Sequence, residues 1–222
     1  MKHPELGTHR EFVGNPSRFD IIGGGNFALF LALGMRESHR FLDVGCGSLR
    51  SGRFVLQYLL PGHYFGIEPN LWLVGAAFQD EIGLDALRTK RPTFDDRDDL
   101  SLEAFGQTFD FVHAHSILTH APLSMVTRFV EEVAVTLEPD GICVATFEES
   151  LTDHQGSRWS YPDVVGYRWE SIESEASAVD LVAHRFAWPH ARQTYFILAR
   201  SESAFARAES TYFSSAIPLR FT

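Results

Sequence analysis

Basic residues are outnumbered, cysteines are few, and long apolar runs are missing; each shortage removes a class of function. The chain has 19 Lys and Arg against 29 Asp and Glu, a formal charge of −10, with no dense basic block. Holding a phosphate backbone or an anionic membrane surface requires clustered positive charge, so neither is an expected partner. Only two cysteines are present, Cys46 and Cys143, with no CxxC spacing. That excludes a disulfide framework and suits reduced thiols in a cytoplasmic setting. No apolar run is long enough to span a bilayer, and the opening MKHPELGTHREF lacks the apolar centre of a signal peptide. Repeats and low-complexity tracts are absent too. What remains is a chain of average globular composition, 45% hydrophobic and 22% charged over 222 residues.

Apolar strands and helix-length stretches alternate along it. RFLDVG (40–45), HYFGIE (63–68), PTF (92–94), FDFVHAH (109–115) and GICVATF (141–147) read as strands. RSGRFVLQYLL (50–60), NLWLVGAAFQDEIG (70–83) and PLSMVTRFVEEVAVTL (122–137) read as helices; the last opens on Pro and stops before a Pro139-Asp140-Gly141 turn. Such alternation predicts right-handed crossovers and a parallel sheet covered on both faces. VDLVAHRFAW (179–188) and QTYFILAR (193–200) then follow with only PHAR between them, too short for a helical crossover, and predict an antiparallel hairpin. Near the start, residues 15–35 read as a glycine hinge before an amphipathic helix. Residues 1–38 are expected to cap a single domain over 1–200, and 201–222 to form a tail.

Residues 41–52, FLDVGCGSLRSG, form a glycine-rich turn between the first strand and its helix. The dinucleotide fingerprint needs a third glycine where Arg50 stands, and a phosphate loop needs Lys then Ser or Thr, which Ser51-Gly52-Arg53 does not supply. Asp43, just upstream, repels pyrophosphate but suits an ammonium group. Glu68 ends the second strand, where a carboxylate can accept from both ribose hydroxyls. A nucleoside with a cationic amino-acid tail and no phosphate is S-adenosyl-L-methionine.

LDVGCG (42–47), FGIEP (65–69), FDFVHAHSILTH (109–120) and LEPDGICVATF (137–147) together resemble the successive motifs of class I S-adenosylmethionine-dependent methyltransferases, over roughly residues 10–200. The resemblance implies an α/β, doubly wound, seven-stranded, mostly parallel sheet of order 3-2-1-4-5-7-6, a Rossmann-like fold closing in the terminal hairpin. It implies methyl transfer to oxygen or nitrogen of a small-molecule acceptor, with a second copy of the chain as a candidate partner. By position it puts Gly45, Cys46 and Gly47 against the methionine portion, with Asp43 toward the amino group, and counts Ser48 and Arg50 among the cofactor-binding residues. Glu68 holds the ribose, flanked by Pro69 and Asn70, and Asp99 with the Leu100 backbone meets the adenine, Asp98 being one step away. His115 and Ser116 stand near the departing methyl. One departure falls in the turn: the family's commonest third glycine is Leu49 here.

His115 and His120 are the candidate general bases, being placed beyond the fourth strand. His113, His115 and His120 bring no carboxylates with them, so no metal is expected. Cys46 reads as a small turn filler with no base beside it. The long segment 147–169 is rich in aromatic and polar residues and is the candidate acceptor loop, with Trp159, Tyr161 and Trp169 as stacking surfaces and His190 and Arg192 joining from the hairpin turn. Competing readings are a macromolecular methyltransferase, a cofactor-binding module without turnover, and a nucleotide-dependent oxidoreductase.

Overall fold

The computed structural model describes residues 2–3, 7–190 and 192–206. The chain divides into two compact units, one reaching to Asp98 and the other beginning at Asp99.

The first unit alternates strands and helices. Strand β1 (Phe41–Val44) is buried along its whole length and pairs in parallel with β2 (Tyr64–Ile67), so that Phe41 faces Tyr64 and Asp43 faces Gly66. Strand β3 (Thr93–Asp95) pairs in parallel with the other edge of β2. The order is 3-2-1. Both-face burial is what a near-continuous apolar run such as FLDV encodes. Helix α1 (Phe19–Ala32) precedes β1, α2 (Gly52–Tyr58) follows it, and α3 (Leu71–Ala77) follows β2, continuing into a π-helical turn over Phe78–Ile82.

Two expectations need correction in this unit. Gly23, Gly24 and Gly25 are not a hinge, because α1 runs through them without a break. Gly23 is where the Arg50 carbonyl crosses the helix: an added Cβ would lie 2.0 Å from that oxygen. Nor is α1 clearly two-faced, since Ile21 stands 74% exposed while Phe19, Leu29 and Phe30 are buried. A short helix α4 (Asp85–Lys90), which the sequence reading passed over, completes the unit.

The second unit runs 4-5-7-6. Strand β4 (Phe109–Ala114) pairs in parallel with β5 (Leu137–Glu149), and β5 pairs antiparallel with β7 (Thr194–Ala199), which pairs antiparallel with β6 (Val182–Phe186). Within each unit the strands follow the expected order, mostly parallel, with the antiparallel hairpin at the edge of the second. Helix α5 (Leu123–Thr136) links β4 to β5 and buries Val126, Phe129, Val130 and Val133 on one face. Pro139-Asp140-Gly141 is not a turn preceding the strand. It lies inside β5 at a register shift opposite Phe109 and Phe111, where a proline without an N–H can be tolerated. Helix α6 (Trp169–Ser177) ends the long segment after β5. Of the predicted tail, residues 207–222 lie outside the described residues. No described helix is long and apolar enough to cross a membrane.

Candidate functional site

The glycine turn is built by alternating left-handed residues: Gly45 at φ +66°, Gly47 at +54° and Leu49 at +54°. Glycine adopts this region freely. Leucine pays about 1–2 kcal/mol for it, which the complete burial of the Leu49 side chain offsets. The position where the family commonly carries glycine thus keeps the glycine-like backbone with a core side chain attached. Gly52 does the third glycine's other work, close approach, because a Cβ there would lie 2.1 Å from the Tyr64 hydroxyl and 3.0 Å from Asp43 Oδ2.

That space holds the first carboxylate. Asp43 is 4% exposed, and its Oδ2 accepts the Tyr64 hydroxyl at 2.7 Å. Burial pushes its carboxyl up to about 7 against the pull of Tyr64 and Arg50, with nearby Glu68 adding to the rise. Tyr64 itself is driven well above its ordinary value by burial and then by Asp43, so it stays a donor. The sequence reading missed Tyr64; its signal was the strand register that sets residue 64 one pleat from Asp43 on the neighbouring strand.

Glu68, at the end of β2, closes the cradle. Its Oε2 accepts the Gly47 N–H at 2.9 Å, and its Oε1 accepts the Asn70 N–H at 2.8 Å and the Asn70 amide at 3.1 Å. Three of about four acceptor positions are filled, which holds the carboxylate still across the turn. Pro69 and Asn70 are exposed beside it. Cys46 packs its thiol against Gly66, and burial, with Asp43 and Glu68 adding, raises it well above the ordinary thiol range. It remains a neutral filler.

Ser48 and Arg50 have partners in the N-terminal segment. Ser48 donates to the His9 carbonyl at 3.4 Å, Arg50 donates to the Val13 carbonyl at 3.0 Å, and Val13 covers Gly47, whose added Cβ would lie 2.9 Å from Cγ1. Arg10 grips Glu81 with two hydrogen bonds of 2.6 and 2.7 Å and reaches Asp20 at 3.1 Å; Arg53 joins both carboxylates. Residues 9–14 thus form a strap tied down beside the turn, which the sequence alone did not reveal.

In the second unit the end of β4 carries a polar cluster. His113 Nδ1 donates to the Val144 carbonyl at 3.0 Å, which fixes its tautomer. His115 is 8% exposed, and its Nδ1 lies 3.0 Å from Ser116 Oγ. Its ring meets those of His190 and Tyr195, with centroids 5.5 and 5.9 Å away. Ser116 sits at φ +60° and donates its N–H to Thr146 at 2.9 Å. Backbone held in this region by its surroundings is a feature concentrated at functional sites. Gln193, another residue the sequence reading passed over, completes the cluster from the hairpin.

His120 stands apart, donating from Nδ1 to the Asp163 carbonyl at 2.8 Å, with its ring edge-on to Tyr161 at 5.2 Å. The His120 carbonyl accepts Ser160 N–H and the Thr119 carbonyl accepts Val165 N–H, both at 2.8 Å. His120 therefore anchors the candidate acceptor loop. On that loop Trp159 and Tyr161 are 43% and 53% exposed. Trp169 instead opens α6 among Phe147 and Phe196, and Arg185 already covers its ring at 5.1 Å. Arg192 is exposed, 3.5 Å from Glu148. Asp99 folds back on Ser101, accepting its N–H at 3.0 Å and its hydroxyl at 2.9 Å, and the buried Leu100 takes φ +58°. Among the described residues no group of three metal-ligating side chains comes together.

Residues 42–143 match the family model of a methyltransferase domain. No curated protein matches the chain. Solved structures share its fold. Magnesium protoporphyrin IX methyltransferase from Synechocystis, with bound SAH, is 17% identical at a TM-score of 0.61, covering 83% of this chain and 86% of its own. A Pyrococcus horikoshii protein is 14% identical at 0.62, with 85% and 92% covered. A sugar N-methyltransferase from Streptoalloteichus is 15% identical at 0.58, with 82% and 89% covered. The expected Rossmann-like methyltransferase fold is borne out; the Synechocystis enzyme has been solved with SAH and with SAM bound.

Proposed function

We propose that this chain transfers a methyl group from S-adenosylmethionine to an oxygen or nitrogen atom of a small-molecule acceptor. The observation that carries the reading is the pair of buried carboxylates, Asp43 and Glu68, set at the ends of adjacent parallel strands around a turn of left-handed backbone. Asp43 offers an anion to the cofactor's ammonium group, and Glu68 offers its carboxylate edge to the ribose. The cofactor, when bound, supplies a carbon already activated by positive sulfur.

The chain's own contribution is then alignment, exclusion of water and acceptance of a proton from the acceptor. His115 is the group we assign to that proton. His120 is better suited to holding the acceptor loop, since its ring is tied to the Asp163 carbonyl. A small acceptor is supported by the acidic charge balance and by neighbours whose names specify a porphyrin and a sugar. The same balance supports an enzyme that does not act on nucleic acid, and two cysteines without CxxC spacing suit a cytoplasmic setting.

Calorimetry with S-adenosylmethionine and S-adenosylhomocysteine tests the reading. Saturable binding to the wild type, lost in an Asp43→Ala/Glu68→Ala double variant, is the expected result; absence of heat with either compound overturns it. Labelled cofactor incubated with a metabolite extract then identifies the acceptor as the compound that gains one methyl group.

A further inference from the structure

The hydroxyl of Ser116 stands between a histidine and an amide. Its Oγ lies 3.0 Å from His115 Nδ1, 3.1 Å from Gln193 Oε1 and 2.9 Å from Gln193 Nε2. A hydroxyl has one proton to donate, and a neutral imidazole carries its proton on one nitrogen only. The hydroxyl oxygen could accept from both neighbours at once, but its own proton would then find no acceptor among the three groups, so two arrangements pair every proton. If Gln193 donates to Ser116, the Ser116 proton turns to His115 Nδ1 and the imidazole must hold its own proton on Nε2. If the Gln193 carbonyl accepts from Ser116, His115 Nδ1–H donates to Ser116 and Nε2 carries the lone pair. Only the second leaves His115 a base at Nε2.

The backbone around the relay is fixed from both sides. Ser116 is held at φ +60° with its N–H on Thr146, so its side chain cannot relax into an ordinary strand orientation. His190 Nδ1 accepts the Gln193 N–H at 2.8 Å and the Arg192 N–H at 3.2 Å, which requires a neutral, Nε2-protonated His190 and anchors the start of β7. From sequence, Gln193 looks like an ordinary first residue of a strand.

We infer that Gln193 is a positioning residue: through the Ser116 hydroxyl it holds His115 in the Nδ1–H tautomer, and so sets which nitrogen faces the acceptor's proton. This rests on the methyltransferase reading, with His115 as the base. The inference assigns Gln193 no contact with acceptor or cofactor; it acts by orienting a proton.

The test is imidazole nitrogen NMR on the full-length protein labelled at histidine, which needs no knowledge of the acceptor. The wild type is expected to show His115 as the Nδ1–H tautomer. Gln193→Glu, which can only accept, should keep that tautomer; Gln193→Met, which cannot accept from the hydroxyl, should convert His115 mainly to Nε2–H. Ser116→Ala provides a second variant should Gln193→Met fold poorly, and should likewise release the tautomer. An Nε2–H wild type, or a tautomer unmoved in both Gln193→Met and Ser116→Ala, overturns the inference. With the acceptor in hand, Gln193→Met should lose about a hundredfold in turnover, the low end of what a positioned base supplies, while cofactor affinity stays at the wild-type value. Cofactor calorimetry on the wild type reports separately on the parent reading, so the two failures are distinguishable.

Discussion

Asp43 should make the protein less stable as pH rises, and replacing it by Asn should remove that effect. In the unfolded chain the carboxyl titrates near 3.8, whereas burial in the folded state raises it to about 7. Between those values the native state holds a proton that the unfolded state has lost, so stability falls as pH increases through this window and levels off above it. Each pH unit is worth about 1.4 kcal/mol. From pH 5 to pH 8, the slope acts over about two units, and the wild type should lose about 3 kcal/mol relative to Asp43→Asn. Asn is nearly isosteric and can still accept the Tyr64 hydroxyl, so its cavity and hydrogen-bond terms are small and do not vary with pH. Urea unfolding of both proteins at pH 5 and pH 8 measures the difference, and all other titrating groups cancel in the comparison. Stability curves that run parallel within 1 kcal/mol would refute the reasoning. The same carboxyl predicts cofactor linkage. A cationic ligand selects the ionised form, so below pH 7 affinity should weaken about tenfold per unit, and binding near pH 6.5 should release a proton, readable by calorimetry in buffers of different ionisation enthalpy.

Three further outcomes follow from the cradle. Gly52→Ala drives a methyl group into the buried Tyr64 hydroxyl and Asp43, and should lower stability by about 1–3 kcal/mol in thermal or urea unfolding while weakening cofactor binding. Leu49→Gly relieves about 1–2 kcal/mol of left-handed strain. It also empties a fully buried site at a cost of about 2–5 kcal/mol, so the measured stability should fall. Arg50→Met removes the hydrogen bond to the Val13 carbonyl and should speed tryptic cleavage at Arg10 and Arg18 severalfold, with cleavage elsewhere unchanged.

The elements that sequence showed best were those whose physics is local. FLDV and FDFVHA are apolar enough to be buried on both faces, and the four-residue gap between the last two strand-like runs leaves room only for a hairpin. The positions of the two carboxylates were legible because each is set by a strand, β1 for Asp43 and the end of β2 for Glu68. Failures came where local signals meet tertiary demand. Three successive glycines suggest a hinge, yet α1 passes through them because Gly23 must let the Arg50 carbonyl approach. Pro139-Asp140-Gly141 has the composition of a turn, yet a register shift accommodates it inside β5. Arg185 lies over the Trp169 ring at 5.1 Å, a pairing that needs α6 and β6 brought together and that no local signal shows.

The strap illustrates why a cradle and its cover are unequally readable. Gly45, Gly47, Asp43 and Glu68 are expected from what a ligand would require of them, and such requirements leave fixed spacings. His9, Arg10 and Val13 are identified only by what the folded chain does with them: a carbonyl set under Ser48, another under Arg50, a branched side chain over Gly47, and a guanidinium on Glu81 more than seventy residues away. None of these contacts has a spacing rule, and HREFV has the composition of many surface turns. The difference is also mechanical. Glu68 is tied to the turn by the Gly47 N–H and to its own strand end by Asn70, so the cradle keeps its shape through bonds internal to the turn and the strand end. Over Gly47 the strap is held by the Arg50 hydrogen bond to the Val13 carbonyl, whereas its Arg10 end is anchored on Glu81, whose side chain is 9% exposed. If a ligand is to reach Gly47, the segment with the weaker attachments must yield first; Arg50→Met should therefore raise the cofactor's dissociation rate while leaving Glu68 and its three hydrogen bonds in place.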